Sequence, residues 1–332
     1  MLVNISGASS ILEVSTAAIA ERINNGTMVH IKIPGAKNNK VFIPDDLINF
    51  NPKKSKSGYC KTLVVTNLKG GVGKTTASTN LCAALSLLKK KVLLVDMDPQ
   101  ANSTHAFFER AEVGSTIRDI LNSFIEKKPM SADEIKKCVI TKEFTNTTIN
   151  ILPSTISLSR TAEQLRFHSS LAISRLDHVL DKIRDDYDFI VIDTPPNASL
   201  IMQMSLYASD SVIVLVEPEE FAVEGMSVLI DEINSVKIDI ADSKGGKELD
   251  IFAFVINKIQ NIKIHNAYTH ELEGIATDLR VKHTYQIPLS TKIKEGQYNK
   301  LPIYEYKDEL TSGFTVGGPL LRLAYDLVKG DK

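Results

Sequence analysis

What the sequence lacks excludes three classes of protein. The 332 residues include only three cysteines, Cys60, Cys82 and Cys138, which lie far apart and show neither CxxC spacing nor a Cys/His ligand pattern. Neither a disulfide framework nor a zinc or iron–sulfur site is therefore predicted. The chain has no run of eighteen apolar residues, and its N-terminus has neither a basic segment nor an apolar core. We therefore expect no membrane span, no secretion signal and a cytoplasmic location.

The charge balance excludes a disordered chain but hides a local asymmetry. Basic and acidic residues number 39 and 40, and 43% of the residues are hydrophobic, which is the composition of a folded globular protein. Residues 1–57 carry seven basic and four acidic residues, a local net charge of +3. Positive charge is thus concentrated at the front of the chain.

A break in hydrophobic periodicity divides the chain. Pro, Gly, Ser and four lysines occupy residues 50–61, so we predict a front domain at 1–52, a linker at 53–61 and a main domain at 62–330. In the main domain, short apolar runs alternate with longer helical patterns, which predicts an α/β fold with a mostly parallel sheet between helices. Residues 103–146 resemble an insertion of short helices. The predicted strands are Thr62–Asn67, Val92–Asp96, Ile149–Leu152, Phe189–Asp193, Ser211–Val216 and Ile251–Asn257.

A glycine-rich loop follows the first of these strands. The string KGGVGKTT at Lys69–Thr76 leads directly into a helical pattern that runs to Lys89. It resembles a GxxxxGK[ST] loop, the P-loop, in which the usual first glycine is missing and Lys69 precedes the glycines. Glycines let backbone N–H groups turn towards phosphate oxygens, Lys74 would reach the β- and γ-phosphates, and the Thr75 hydroxyl would hold Mg²⁺. The predicted nucleotide-binding residues of the loop are Lys69, Gly70, Gly71, Val72, Gly73, Lys74, Thr75 and Thr76.

Carboxylates end two further strands. VLLVDMDPQ ends an apolar run in Asp96 and Asp98, and DFIVIDTPP ends another in Asp193. At the carboxyl ends of parallel strands such side chains face the ligand crevice. Asp193 suits a place beside Mg²⁺, and Asp96 suits the orientation of an attacking water.

These motifs, followed by EPEEFAVEGM at Glu217–Met226, closely resemble the ParA family of DNA-partition ATPases. The resemblance covers residues 60–330. It implies a P-loop NTPase fold, ATP and Mg²⁺ as cofactors, and a homodimer that forms on ATP, with Lys69 of each subunit reaching the partner's nucleotide as a catalytic cation. It further implies ATP-dependent binding to nonspecific DNA, association with the nucleoid, and a ParB-like adaptor protein through which a plasmid or chromosome is positioned.

Two residue groups near the carboxyl end follow from the same resemblance. Family members have IPRNVRLSEAPS where this chain has IPLSTKIKEGQY at Ile287–Tyr298. Lys292 stands at the family's second arginine and Lys294 adds a nearby cation, so both are predicted to bind DNA, whereas Leu289 and Gln297 replace the first arginine and the proline. Asn257 matches the family position expected near the adenine.

The front domain has a different pattern. Ile11–Val14 would end a first helix, Ser15 would cap a second at Thr16–Asn24, and Gly26 would end it. Two β runs follow at Val29–Ile33 and Lys40–Ile43. This order resembles the winged helix-turn-helix domains of the excisionase and MerR-like type, which implies DNA contacts from Lys37 and Lys40 in the wing. With one cation and one acid on its helix, the domain could instead serve dimerisation.

Three other functions remain as alternatives. A MinD-like positioning ATPase of the same fold would need a carboxyl-terminal amphipathic membrane helix, whereas the last helical pattern has an ordinary core stripe. A tyrosine kinase of this ATPase group would need a terminal tyrosine cluster. A purely structural nucleotide binder would not require Lys74, Thr75, Asp96 and Asp193 together. The sequence therefore favours a partition ATPase without a membrane partner.

Overall fold

The computed structural model describes most of the main domain and parts of the front segment. The described residues are 2–3, 5, 15–24, 28–31, 40–42, 59–168, 171–244, 248–307 and 316–330. Four predicted features lie outside them: the helix end at Ile11–Val14, Gly26, the wing residue Lys37 and most of the linker.

The front segment contains one helix and three short strands among its described residues. These are β1 (Leu2–Val3), α1 (Thr16–Asn24), β2 (Val29–Ile31) and β3 (Lys40–Phe42). Helix α1 has the predicted bounds, and the Ser15 hydroxyl accepts a hydrogen bond from the Ala18 N–H (3.1 Å) as a helix cap. Strand β3 pairs antiparallel with both β2 and β1. Strands β2 and β3 lie within the two predicted β runs and pair with one another, and β1 was not predicted.

The main domain is an eight-stranded sheet between two layers of helices. The strands are β4 (Lys61–Thr66), β5 (Val92–Asp96), β6 (Ile140–Glu143), β7 (Thr148–Leu152), β8 (Phe189–Asp193), β9 (Ser211–Val216), β10 (Asp250–Ile259) and β11 (His283–Pro288). The helices are α2 (Lys74–Leu87), α3 (Asn102–His105), α4 (Ile117–Ile125), α5 (Ala132–Cys138), α6 (Leu158–His168), α7 (Arg175–Asp181), α8 (Leu200–Ala208), α9 (Ala222–Lys244), α10 (Lys263–Asp278), α11 (Thr291–Tyr298) and α12 (Gly317–Lys329).

Strand β4, which leads into the glycine-rich loop, lies between β9 and β8 in the sheet. The order is β11-β10-β9-β4-β8-β5-β7-β6, and all described pairs are parallel except β6 with β7. Strands β5, β8 and β9 are buried along their whole length, which explains their unbroken Val, Ile and Leu runs. The chain passes from β4 to β5 across β8, so the carboxyl ends of these three strands meet at one crevice.

Two core clusters cover the two faces of the sheet. One includes the apolar side chains of α2 and α12, and the other includes those of α7, α8 and α9. The stripe on α12 predicted to be core is buried: Leu320, Leu323, Ala324, Leu327 and Val328. Cys60, Cys82 and Cys138 are buried free thiols. Among the described helices, none is long and apolar enough to cross a membrane.

Several boundaries differ from the sequence prediction, and two strands were missed. Strand β4 begins at Lys61, which had been placed in the linker, because the Lys61 N–H donates to the Asp188 carbonyl (3.1 Å). The Tyr59 hydroxyl, also in that linker, donates to the Asp210 carboxylate (2.6 Å). The insertion contains helices α3, α4 and α5 but also strand β6, and β11 was not predicted. Both missed strands alternate buried or half-buried with exposed residues.

Candidate functional site

The glycine-rich loop occupies the bend between β4 and α2. Gly71 and Gly73 have φ angles of +81° and +96°, a left-handed region that side chains disfavour. A Cβ atom on Gly73 would lie 2.6 Å from the Asn257 amide nitrogen. The loop therefore needs glycine at position 73 for both its backbone angle and its space.

The loop lines a cavity of about 540 Å³. Lys74 is 6% exposed, and its ammonium donates to the Lys69 carbonyl (3.0 Å), which curls the side chain back over the loop. Burial lowers the pKa of Lys74, against the opposing effect of the Asp193 and Asp98 carboxylates. The cavity is lined by Gly71, Gly73, Lys74, Thr75, Asp98, Gln100, Asn102, His105, Ala106, Pro196 and Gln297.

Asp193 lies beneath the loop at the end of β8, fully buried. Its carboxylate accepts hydrogen bonds from three hydroxyl groups, those of Thr75 (2.9 Å), Ser78 (3.2 Å) and Ser103 (2.7 Å). Burial raises the pKa of Asp193, and the hydrogen bonds oppose that rise. Thr75 and Asp193, which were each predicted to lie at a Mg²⁺ site, are hydrogen-bonded to one another. Among the described residues, no group of three or more His, Cys, Asp or Glu side chains is placed so that it could hold a metal ion.

Asp96 is placed differently from the prediction. Its Cα pairs with that of Asp193 across β5 and β8, and its side chain is fully buried. One carboxylate oxygen accepts the Thr104 N–H (2.8 Å) and hydroxyl (2.7 Å), and the other accepts the Asp98 N–H (3.1 Å). Burial, with Asp193 adjacent, raises the pKa of Asp96. Asp96 does not line the cavity, because its oxygens are turned into the protein to hold the start of the next segment.

Asp98 lines the cavity instead, two residues after Asp96. One of its carboxylate oxygens accepts the Gln100 N–H (2.9 Å), and within the described part of the chain no hydrogen bond to the other oxygen is found. The strand-end position that predicted an acid at the ligand crevice was sound, but the residue that reaches the crevice is the second acid of the pair. Side-chain alternation does not distinguish the two acids, because residues two apart in a strand share a face.

Lys69 lies at the entrance to the loop with its side chain partly exposed. The Lys69 N–H donates to the Asn67 side-chain oxygen (2.8 Å), and the Lys69 ammonium forms an ion pair with Glu219. Glu219 belongs to the EPEEFAVEGM segment that follows β9. Within this single subunit, Lys69 is therefore held by its own chain rather than directed into the cavity.

Asn257 lies behind the loop rather than in the cavity. It is 6% exposed, and its amide donates to the Val72 carbonyl (2.8 Å). The family resemblance implies that Asn257 lies near the adenine, and in this structure the Asn257 side chain contacts the backbone of the loop. Buried hydrogen bonding of this kind fixes backbone geometry.

The cations predicted to bind DNA fall in two regions. Lys292 and Lys294 lie on α11, whose first turn is capped by the Ser290 hydroxyl, which accepts the Lys292 N–H (3.3 Å). Gln297, on the same helix, donates to the Thr76 hydroxyl (2.8 Å) in the first turn of α2. Lys40 lies in β3, where the structure describes its backbone but not its side chain. Lys37 is outside the described residues.

Several cavity residues were not predicted from the sequence, and three polar ones come from one segment. Gln100, Asn102 and His105 come from the segment between β5 and the end of α3. Gln100 ends the VLLVDMDPQ motif, and the polar string QANSTH shortly after the strand end is the signal that could have found the other two. A parallel sheet with a phosphate-type loop at its carboxyl edge defines the class of protein: an α/β P-loop nucleotide-binding protein.

Comparisons with known proteins place the chain within this class. Residues 60–244 match the family model of an AAA domain. A sporulation initiation inhibitor protein, Soj, from Bacillus subtilis is 38% identical over 178 residues, covering 53% of this chain and 66% of the relative, slightly under two thirds of that protein's length. The chromosome-partitioning ATPase Soj of Treponema pallidum is 30% identical over 254 residues, covering 74% of this chain and 90% of the relative. The chain belongs to the ParA/Soj family of AAA-domain ATPases.

Solved structures agree with this placement. A putative plasmid partition protein from Borrelia burgdorferi, bound to AMPPNP, is 26% identical with a TM-score of 0.59, covering 76% of this chain and 98% of that one. A cobyrinic acid a,c-diamide synthase from Mycobacterium smegmatis, solved with ADP and magnesium, is 21% identical with a TM-score of 0.58, covering 77% and 98%. The second likeness shows the fold alone.

The loop geometry predicts that Gly73→Ala destabilises the protein. An alanine in the left-handed region costs about 1–3 kcal/mol, and its Cβ would displace Asn257. Thermal unfolding should show the melting temperature fall by about 2–4 °C for each kcal/mol. Gly114→Ala is the matched control, since Gly114 is exposed with no atom within 4 Å of an added Cβ. Equal melting temperatures for the two variants would contradict the stated role of Gly73.

Proposed function

We propose that this protein is a DNA-partition ATPase. It binds and hydrolyses ATP, dimerises on ATP, and binds DNA so that a plasmid or chromosome is positioned through a ParB-like adaptor. The observation that carries the proposal is that Thr75 and the buried Lys74 line the cavity formed by the glycine-rich loop, with the Asp193 carboxylate hydrogen-bonded to Thr75 behind them. Membership of the ParA/Soj family supports it, as does the presence of Lys69 ahead of the glycines.

The residues of the cavity fit Mg²⁺ and ATP. Glycine backbone at positions 71 and 73 leaves room for phosphate oxygens to approach the N–H groups, and Lys74 supplies the cation. The Thr75 hydroxyl and Asp193 would hold the magnesium ion, Thr75 directly and Asp193 from behind it. When bound, the ion would neutralise charge on the β- and γ-phosphate oxygens.

Asp98 is the better candidate to orient the attacking water, a role first assigned to Asp96. An acid that acts on water must present a carboxylate oxygen to the cavity, and Asp98 lines the cavity while Asp96 is bonded internally. Asp96 would then act as a positioning residue that holds Thr104 and the Asp98 backbone in place.

Substitution by asparagine separates the two roles. Asp98→Asn should lower the turnover number about 100-fold, with the melting temperature of the free protein unchanged. Asp96→Asn should lower the melting temperature, because one of its side-chain atoms can no longer accept a hydrogen bond from Thr104 or Asp98. Phosphate-release kinetics and thermal unfolding measure the two effects. A large loss of turnover in Asp96→Asn alone, at an unchanged melting temperature, would return the water-orienting role to Asp96.

ATP-dependent dimerisation would draw Lys69 away from Glu219. Two nucleotides brought together between subunits repel one another unless cations neutralise them. The Lys69–Glu219 ion pair is partly exposed and therefore weak, so exchange for a phosphate group costs little. Lys69 would then act as a cation supplied to the partner's site, as an arginine finger does.

Removal of the Lys69 charge should weaken the dimer. In the slow-hydrolysis background Asp98→Asn with Mg²⁺ and ATP, Lys69→Ala should raise the dimer dissociation constant about tenfold or more, since loss of one partner of an interfacial charge pair costs about 2–5 kcal/mol. Light scattering over a concentration series measures it. Lys128→Ala, an exposed lysine of the turn after α4, serves as the control. A monomer at all concentrations and nucleotide states would refute nucleotide-driven dimerisation.

DNA binding is proposed for two regions. Lys294 is exposed on α11, and this helix contacts the nucleotide helix α2 through Gln297 and Thr76, so nucleotide and DNA could affect one another. In the front segment, a capped helix followed by an antiparallel hairpin supports a winged helix-turn-helix domain, with Lys37 and Lys40 as its DNA contacts.

Salt dependence tests both regions. With ATP bound, Lys292→Ala or Lys294→Ala should flatten the slope of log affinity against log salt by about two units for a dimer on a nonspecific duplex. Lys128→Ala should leave the slope unchanged. The double variant Lys37→Ala, Lys40→Ala should reduce preference among duplex sequences rather than overall affinity. Unchanged slopes would contradict DNA binding by α11. An unchanged preference among duplex sequences would favour a dimerisation role for the front segment.

The second candidate, a MinD-like positioning ATPase, is less well supported. A carboxyl-terminal membrane helix needs an apolar face available to lipid. Leu320, Leu323, Leu327 and Val328 of α12 are instead buried in the same core cluster as the apolar residues of α2. Burial of this face favours the partition function.

A further inference from the structure

Two consecutive residues of β10 bind two consecutive carbonyl groups of the glycine-rich loop. The Asn257 amide donates to the Val72 carbonyl (2.8 Å), and the Lys258 ammonium donates to the Gly71 carbonyl. Gly71 is the first of the two positive-φ glycines of the loop and Val72 lies between them, so these contacts hold the sharpest part of the loop.

The backbone of β10 departs from regular strand geometry to make this possible. Adjacent side chains of a regular strand point to opposite faces of the sheet. Lys258 has a φ angle of +57°, and the pairing of β10 with β11 shifts register between Ile256 and Ile259. A left-handed backbone angle at a non-glycine residue is strained. The irregularity brings Lys258 and Asn257 to the same loop, so the strain coincides with a contact at the nucleotide site.

Lys258 has a second partner in Glu217, the residue that follows β9. The two form an ion pair, with the Glu217 side chain 11% exposed. Glu217 is two residues from Glu219, which pairs with Lys69 at the loop entrance. The largely buried Glu217 carboxylate keeps the Lys258 ammonium near the loop. The ion pair also limits the rotamers of the long lysine side chain.

The direction of a carbonyl determines the direction of the next N–H group. The peptide unit is planar and trans, so its C=O and N–H point to opposite sides. Contacts that hold the Gly71 and Val72 carbonyls towards β10 therefore hold the Val72 and Gly73 N–H groups away from it. An ammonium on the carbonyl side also polarises the peptide unit and strengthens the N–H as a donor.

We propose that Asn257 and Lys258 form a brace that holds the loop in the conformation that receives phosphate. This inference rests on the proposed function, because it assumes that the cavity binds a nucleoside triphosphate. Both are positioning residues: Asn257 holds one carbonyl by a buried neutral hydrogen bond, and Lys258 holds the other by a charged one. With the brace absent, binding must include the free-energy cost of ordering the loop.

Nucleotide titration of Lys258 variants tests the brace. Lys258→Met keeps the length of the side chain and removes its charge, and should raise the dissociation constant for Mg²⁺ and a fluorescent ATP analogue about tenfold, the loss of one charged hydrogen bond. The nucleotide-induced rise in melting temperature should fall in parallel, with a small change in the free protein. Lys258→Arg should restore affinity to within about threefold, since guanidinium keeps the charge and the donors.

The controls separate the brace from the function on which it depends. Lys263→Met removes an exposed lysine at the start of α10 and should match the wild type. If the wild type itself fails to bind the ATP analogue, the proposed function is wrong. If the wild type binds and Lys258→Met binds equally well, the brace alone is refuted. Lys258→Gln, polar but too short to reach the loop, replaces the methionine variant if that variant does not fold, with the same expected loss of affinity.

Discussion

The site depends on one constraint: a loop that offers its N–H groups to a ligand must have its carbonyl groups satisfied on the other side. In a helix or strand, neighbouring backbone groups do this, but the segment between β4 and α2 has no such partner. Side chains donate hydrogen bonds to these carbonyl groups instead. Lys74 donates to the Lys69 carbonyl, Lys258 to the Gly71 carbonyl and Asn257 to the Val72 carbonyl. Because buried carbonyl groups without a partner are costly, these contacts stabilise the loop and orient it together.

A second constraint arises below the loop, where two carboxylates are buried side by side. Asp96 and Asp193 are paired across adjacent strands and have no exposed surface. Burial of two adjacent carboxyl groups is tolerable because the surrounding groups are hydrogen-bond donors: hydroxyls for Asp193, and a hydroxyl and two N–H groups for Asp96. The same donors explain why segments distant in sequence, from α2 and α3, converge on these strand ends. The acids therefore organise the cavity wall as well as supplying charge.

Much of this arrangement follows from local sequence pattern. The apolar runs of β5, β8 and β9 have the predicted bounds, because strands buried on both faces need unbroken hydrophobic residues. Strands β6 and β11 were missed because one-sided burial leaves half their residues polar. Within the site, the loop and the Thr75–Asp193 pair could be predicted from spacing. The contrast between Asp96 and Asp98 could not, since which of two nearby acids faces a cavity depends on the turn between them. Lys258 carried no signal at all, because its role arises from a left-handed backbone angle and a long-range contact.

The charges around the loop entrance give this geometry a functional consequence. Lys69 and Lys258 approach the loop from two sides, and each is paired with a carboxylate of the segment after β9, Glu219 and Glu217. The pair with Glu219 is partly exposed, whereas Glu217 is nearly buried. Screening by solvent makes the first pair weak and leaves the second stronger. An approaching phosphate therefore competes more easily for Lys69 than for Lys258. The two lysines therefore suit different roles. Lys258 holds the loop conformation, and Lys69 can exchange its ion pair with Glu219 for a contact with phosphate.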